Sequence, residues 1–262
     1  VDGKNDVLVE IDKIFGSNAD NKDTNIAISL IRQKLREIAG EYGEKSLEFV
    51  SALNRLGSIE RDAGLLDEAA NDFLCAAEIQ MNAIPIFQEE DSCMDTDHIT
   101  CPPVKAAPIK CIDPELAATL CNLGETYRLM GNFCQAEYAF IMATQIYDAT
   151  VGMKHPLYAR VLSDFALLRQ NQGRYDEAIE LHDRVCAIIG TTAHVEHRAT
   201  NLFNRALCEY LRRGDFGRAY YDAREALTLY VVHAGSDSLQ ARRARKVYEL
   251  INENYKQNLE QT

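Results

Sequence analysis

Small and apolar residues recur along this chain in one order, and that order predicts paired helices. Leu120-Cys-Asn-Leu-Gly124 is followed by Gly131-Asn-Phe133, then by Ala136, Phe140 and Ala143. The same order runs through Leu53, Gly57, Gly64, Ala69, Phe73 and Ala76, and again through Leu162, Ala166, Gly173, Tyr175 and Ala178. A fourth copy is carried by Leu202, Asn204, Gly214, Phe216, Ala219 and Ala226. Within each half the apolar positions fall three and four apart, the period of a helix, and glycine separates the halves as a stop signal. The later turn glycines, 131, 173 and 214, stand 42 and 41 residues apart. The step from Gly64 to Gly131 is 67, so one period there carries an insertion. A fixed period of this kind marks a repeat array. Gly57, Gly124 and Ala166 let the two helices of a hairpin approach closely, and the alanine of the second helix meets that gap. A lone hairpin cannot bury its apolar face, so stacked neighbours must complete the core.

The pattern predicts helix pairs near 46–63/66–83, 114–130/133–150, 156–172/175–189 and 198–213/216–232, with a last helix over 238–257. Residues 23–41 read as the second helix of an earlier repeat, capped by Asp23 or Thr24, and 5–15 as its first helix. The expected organisation is a single domain over 1–262: a divergent first repeat at 1–43, repeats at 44–83, 113–152, 153–193 and 194–235, an inserted loop at 84–112, and a capping helix at 236–262.

Thr119-Leu-Cys-Asn-Leu-Gly-Glu-Thr-Tyr127, Gly131-Asn-Phe133 and Gly152-Met-Lys-His-Pro156 resemble the long tetratricopeptide repeats of kinesin light chains, as does Leu162 to Ile188. The resemblance covers roughly residues 22–255. It implies an all-α, right-handed tetratricopeptide-repeat superhelix, an α-solenoid with a C-terminal capping helix. It also implies a non-enzymatic adaptor that grips a protein partner, with a motor or chaperone complex as the setting. The family's preceding heptad coiled coil is absent, and so is the tryptophan of shorter repeats. The repeats plus last helix resemble mitochondrial respiratory-complex assembly proteins more loosely, which leaves a structural assembly factor as the alternative. The chain opens on Val1 rather than methionine, so a preceding segment is expected. A coiled coil there would go with the adaptor, a transit segment with a mitochondrial assembly protein.

Composition narrows the field. Hydrophobic residues make up 47% and charged ones 26%, ordinary values for a globular domain. No apolar run approaches the ~20 residues of a membrane helix. Eight cysteines without a CxxC pair argue against a disulfide framework: Cys75, Cys121, Cys134, Cys186 and Cys208 fall in predicted helices or helix starts and read as small hydrophobes, with the cytoplasm as the expected compartment. The insertion holds Pro85, Pro102, Pro103, Pro108 and Glu89-Glu-Asp91, which excludes a continuous helix. Its Cys93, His98, Cys101 and Cys111 are soft ligands at spacings unlike a zinc ribbon, so no metal or other cofactor is expected. His194-Val-Glu-His197 has the wrong spacing for a helical zinc site and falls where an inter-repeat loop is predicted. No phosphate-binding glycine loop is present, and no catalytic residues are assigned.

The candidate chemistry lies on the first helix of each repeat. We number that helix so that Gly57, Gly124 and Ala166 occupy slot 8. Slots 4, 7, 8 and 11 then bury, and slots 2, 5, 6, 9 and 12 face a concave groove. The groove residues read as Asn54 and Arg55, then Asn122 and Arg128, then Arg160. Counting back from Gly214 adds Asn204 and Arg205 at slots 5 and 6, while a one-residue shift would put Asn204 at slot 6. The same count on the last helix adds Arg242, Arg245 and Lys246. The net charge is −12, yet these cations fall on one inferred face. Residues 1–196 carry 17 basic and 32 acidic side chains, and 197–262 carry 11 and 8. Such a groove attracts a short acidic peptide, whereas the acidic remainder repels a nucleic acid. Asparagine can hold a peptide backbone with both a donor and an acceptor. Asn122 and Asn204 resemble the groove asparagines of the family, and Arg160 its groove cation. Asp164 stands where the family has asparagine, and Asn204, Arg242 and Lys246 resemble part of the carboxylate clamp of chaperone-binding repeats.

Overall fold

The computed structural model describes residues 21–81, 113–190, 195–213 and 216–261. The predicted helix at 5–15, the insertion at 84–112 with its candidate ligands, His194 and Gly214 lie outside them. Ten helices and no strand occur among the described residues. They are α1 (Asn21–Tyr42), α2 (Leu47–Asp62), α3 (Leu66–Gln80), α4 (Pro114–Met130), α5 (Phe133–Thr150), α6 (Pro156–Asn171), α7 (Tyr175–Ile189), α8 (Val195–Leu211), α9 (Phe216–Ala234) and α10 (Leu239–Gln261). None of them is long and apolar enough to cross a membrane.

Two compact units divide the chain, Val1–Ala143 and Thr144–Thr262, with the boundary inside α5. In the first unit each helix packs on the next from α1 to α4, and α2 also meets α4. Its core joins Ile28, Ile31 and Leu35 of α1 to Val50, Leu53 and Leu56 of α2 and Ala76 of α3. In the second unit α6 packs on α7, α7 on α8, α8 on α9 and α9 on α10, while α6 meets α8 and α8 meets α10. First helices therefore lie beside first helices within each unit. Alanines hold the last hairpin close: Ala206, Ala219 and Ala223 cluster with Ile251 of α10. Tyr220 stacks on Tyr255, 4.9 Å between ring centres, and fixes the end of α10.

The first helices start in the same way. Ser46 accepts a hydrogen bond from the Phe49 amide, Asp113 from that of Glu115, and His155 Nδ1 from that of Leu157. Each cap satisfies a donor that the first turn leaves over. Each stands eleven residues before Gly57, Gly124 or Ala166. The capped positions thus give a register that does not depend on the turns.

The close approach predicted at slot 8 is present in the α2–α3 and α4–α5 hairpins. A methyl added at Gly124 would lie 2.8 Å from the Phe140 ring, and one at Gly57 would lie 3.0 Å from that of Phe73. In the third repeat Ala166 fills slot 8, and the narrower His182 replaces the phenyl ring sixteen residues on. Gly124→Ala is expected to cost about 1–3 kcal/mol through overpacking. Adding Phe140→Leu should return part of that loss in urea unfolding. If Gly124→Ala alone leaves the midpoint unchanged, the contact is not a constraint.

The turns follow the prediction at three places. Gly64, Gly131 and Gly173 have φ of 82°, 81° and 72°, the left-handed region where glycine is unstrained. The fourth turn differs. Arg213 takes φ 55°, seven residues after Ala206, as Gly131 follows Gly124 by seven. This turn is one residue longer than the count from Gly214 assumed. Ala206 is fully buried and occupies slot 8. Asn204 therefore stands at slot 6, equivalent to Asn122, and Arg205 at the buried slot 7. α8 also begins at Val195, so His197 is helical rather than in a loop, with its Nε2 3.2 Å from Ser163 Oγ.

Cys75, Cys121, Cys186 and Cys208 are free thiols, as expected, but only Cys121 and Cys208 are buried, while Cys186 is half-buried and Cys75 exposed. Burial raises the thiol pKa of Cys208 to about 12, so it stays protonated and packs as an apolar group. Cys134 departs from the expectation, because it is disulfide-bonded. Pairing of thiols is set by proximity in the fold rather than by spacing in sequence.

Candidate functional site

The first-helix face of Val1–Ala143 forms a cleft of about 560 Å³. Asn54 and Arg55 of α2 and Asn122 of α4 line it, which brings three predicted groove residues together. α1 closes the other side with Ile38, Glu41 and Tyr42. The asparagines are partly engaged. Asn54 Nδ2 donates to Thr119 Oγ1 at 2.9 Å, and Asn122 Oδ1 accepts from Arg61 at 3.3 Å. Thr119 passes its own hydrogen to Gln80 Oε1 at 2.8 Å, tying α2, α3 and α4 behind the cleft. Arg128 is largely covered and grips Glu125 through two donors, at 2.8 and 2.6 Å. Such a fork is geometrically specific and holds the guanidinium along its own helix.

Behind the cleft, Glu60 is fully buried and bound by Arg32 at 2.7 Å. Asp72 lies against it, and its carboxyl is pushed up to about 7 by burial and by the Glu60 charge. Two carboxyl groups that close share a proton more readily than they ionise together.

In Thr144–Thr262, Arg160 is exposed on α6 and Asn204 half-buried on α8. Arg205 does not face outward. It is bound bidentately by Asp222 at 2.7 and 2.8 Å and by Asp183 at 2.7 Å. Burial opposes its charge, but the Asp222 carboxylate outweighs that and raises the guanidinium pKa. The groove position predicted for Arg205 is thus corrected by the turn register: slot 7 points at the neighbouring second helices, where carboxylates wait. Arg218 extends the network to Asp183, and Arg212 to the fully buried Glu209.

His182 and Asn201 form a second buried pair. His182 Nδ1 lies 2.6 Å from Asn201 Oδ1, while Asn201 Nδ2 donates to the His182 carbonyl and to Cys186 Sγ. With its amide so engaged, Asn201 must accept at Oδ1, and His182 carries its hydrogen on Nδ1. His182 Nε2 is buried without a partner. Burial lowers its pKa to about 4 despite the Asn201 bond, so the ring is neutral at pH 7.

On α10 the cap gives a new register. Ser238 accepts from the Ala241 amide as Ser46 accepts from Phe49. Counting from it puts Arg243 at slot 2, with Arg160, and Lys246 at slot 5. Arg243 and Lys246 are both exposed. Arg242 and Arg245 move to slots 1 and 4, which in earlier repeats meet the following second helix. Arg242 is exposed there, and Arg245 donates to the Ser236 carbonyl at 3.3 Å. Arg243, which the sequence reading passed over, is the cation of α10 that shares the register of Arg160, and the serine cap was the signal that would have shown it. Among the described residues no group of three or more His, Cys, Asp or Glu side chains is placed to hold a metal ion.

Residues 115–191 match the model of the tetratricopeptide repeat family. The fold is the all-α tetratricopeptide-repeat fold. BtubC (BKLC) from P. vanneervenii is similar in structure at a TM-score of 0.60 and 16% identity, covering 81% of this chain and 75% of that one. A protein of Podosopora anserina described as a putative kinesin light chain with nearly identical TPR-like repeats reaches a TM-score of 0.58 at 17% identity. That match covers 82% of this chain and 90% of that one. A single-substitution form of the Podosopora protein gives 0.59 at 16%, over 81% and 89%. No curated protein matches the chain. The tetratricopeptide resemblance read from Leu120–Gly131 is therefore borne out, and so is its kinesin-light-chain character at the level of fold.

Proposed function

We propose that this tetratricopeptide-repeat chain is a protein-interaction adaptor, and that the first helices of Thr144–Thr262 hold an acidic linear peptide. The observation that carries the reading is the shared register of Arg160 and Arg243, exposed at slot 2 of α6 and α10, with Lys246 one turn on. Asn204, at slot 6 of the intervening α8, offers a donor and an acceptor to a peptide backbone. Asp164 puts a counter-charge at the same slot of α6, which favours placing the acidic residues nearer α10. Similarity in fold to a Podosopora protein described as a putative kinesin light chain supports a partner-binding role.

Short-peptide interfaces are small, so affinity on the order of micromolar is expected, weakening with salt. A labelled 12-residue peptide of Glu and Asp around one Leu serves as the probe in fluorescence anisotropy. Arg160→Glu and Arg243→Glu should each weaken it by about tenfold or more, since each removes an attraction and adds a repulsion. Arg242→Glu should change it by less than about twofold. Equal effects at Arg242 and Arg243 would refute the groove reading and leave the assembly-factor alternative.

A further inference from the structure

The cleft of Val1–Ala143 has the opposite electrostatic character. Its floor and rim are apolar: Val50 is buried, Ile38 half-buried, and Tyr42 and Leu47 remain 42% and 68% exposed. Large apolar side chains left this open beside a concave surface point to a partner that covers them. The charges around them are mainly negative. Lys34 is held by Glu37 at 2.7 Å, which neutralises both. Beyond that pair the lining sets Glu41, Glu48 and Glu115 against the guanidinium of Arg55. Three carboxylates at the mouth of a partly apolar cleft disfavour an acidic peptide and attract a cationic one.

The chain's own neighbouring segments do not complement this charge. Residues 1–20 carry Asp2, Asp6, Glu10, Asp12 and Asp20 against Lys4 and Lys13. Residues 82–112 carry Glu89, Glu90, Asp91, Asp95 and Asp97 against Lys105 and Lys110. Each would bring more negative charge to a negative mouth.

We infer that this cleft is a second docking site, whose occupant is a linear peptide of a partner protein that sets an aliphatic side chain beside lysine or arginine. The aliphatic group covers Ile38, Tyr42, Leu47 and Val50, and the cations meet Glu41, Glu48 and Glu115. The site is independent of the acidic-peptide reading, since all its residues belong to Val1–Ala143. One chain would then hold two linear segments of opposite charge, and either site can fail its test without the other.

The test uses the full chain and two labelled 12-residue peptides with the same leucines, one with lysine and one with glutamate at the other positions. The acidic protein attracts any lysine peptide weakly, so the variants decide. Glu115→Lys at the mouth and Glu180→Lys on the exposed face of α7 make the same change in net charge. Binding of the lysine peptide should weaken about tenfold or more in Glu115→Lys and less than about twofold in Glu180→Lys. Ala118 is exposed in the cleft, so Ala118→Trp should obstruct the site by bulk, with a melting curve like the parent's. Equal loss in Glu115→Lys and Glu180→Lys would mean general attraction only and would overturn the proposal. Glutamate-peptide binding that Ala118→Trp abolishes while lysine-peptide binding is unchanged would overturn it too. So would binding that appears only after residues 1–20 are removed, because the chain's own segment would then be the occupant.

Discussion

Replacing Arg205 with methionine is expected to lower the unfolding free energy by about 3–5 kcal/mol, the usual result of removing one partner from a buried ion pair. Asp222 is only 7% exposed and its bidentate partner would be gone. Asp183 would keep Arg218 alone. The methionine fills much of the volume, so the loss is one of charge rather than packing. Adding Asp222→Asn should recover a large part of it, because the stranded carboxylate is then neutral. Denaturant unfolding followed by circular dichroism reads both. A loss under about 1 kcal/mol would show that water replaces the guanidinium, as at an exposed pair.

The second large effect is on acid stability, through His182. Its folded pKa of about 4 lies below the ordinary 6.5, so the unfolded chain takes up the proton first. The stability it contributes is complete above pH 6.5 and is lost as pH falls from there towards 4. Between pH 7 and 5 the loss should be about 2 kcal/mol, from roughly 1.4 kcal/mol per pH unit across that window. Asp72 works in the other direction. Its carboxyl is raised to about 7 from 3.8, so the folded form holds the proton more tightly and gains stability as pH falls through this range. The parent protein should therefore show little net change between pH 7 and 5. Asp72→Asn should unmask the loss, and Asp72→Asn with His182→Leu should flatten the profile again. A parent-like profile in Asp72→Asn would refute the assignment of the two opposing groups.

Most of the fold could be read from the chain because the same physical constraints repeat four times. α4 and α5 have the predicted bounds, set by Asp113-Pro114 before the first helix and by Gly131-Asn132 between the two. The predicted loop before α8 failed at His197 because nothing breaks the helix between Val195 and Leu211. The groove was harder to place. Arg205 was misplaced because an arginine, not a glycine, takes the left-handed turn in the fourth repeat. Glycine is the usual sign of that conformation, and counting from Gly214 shifted every slot by one. Arg242 and Arg245 were assigned by apolar pattern alone, where the Ser238 cap gives a firmer origin. The acidic mouth in Val1–Ala143 could not be read from any one repeat. Glu41 comes from α1 and Glu115 from α4, and only packing brings them to one cleft.

The pairing at slot 8 bears on how such a chain can be recombined. Glycine opposite phenylalanine in Gly57–Phe73 and Gly124–Phe140, and alanine opposite histidine in Ala166–His182, are two solutions to one spatial problem. Mixing them, as with Ala166 opposite a phenylalanine, would recreate the 2.8 Å conflict that a methyl at Gly124 meets. Crossovers inside a hairpin are therefore disfavoured, whereas crossovers in the segments joining one hairpin to the next keep each matched pair intact. The smallest module that can be duplicated, deleted or grafted in this architecture is the whole hairpin.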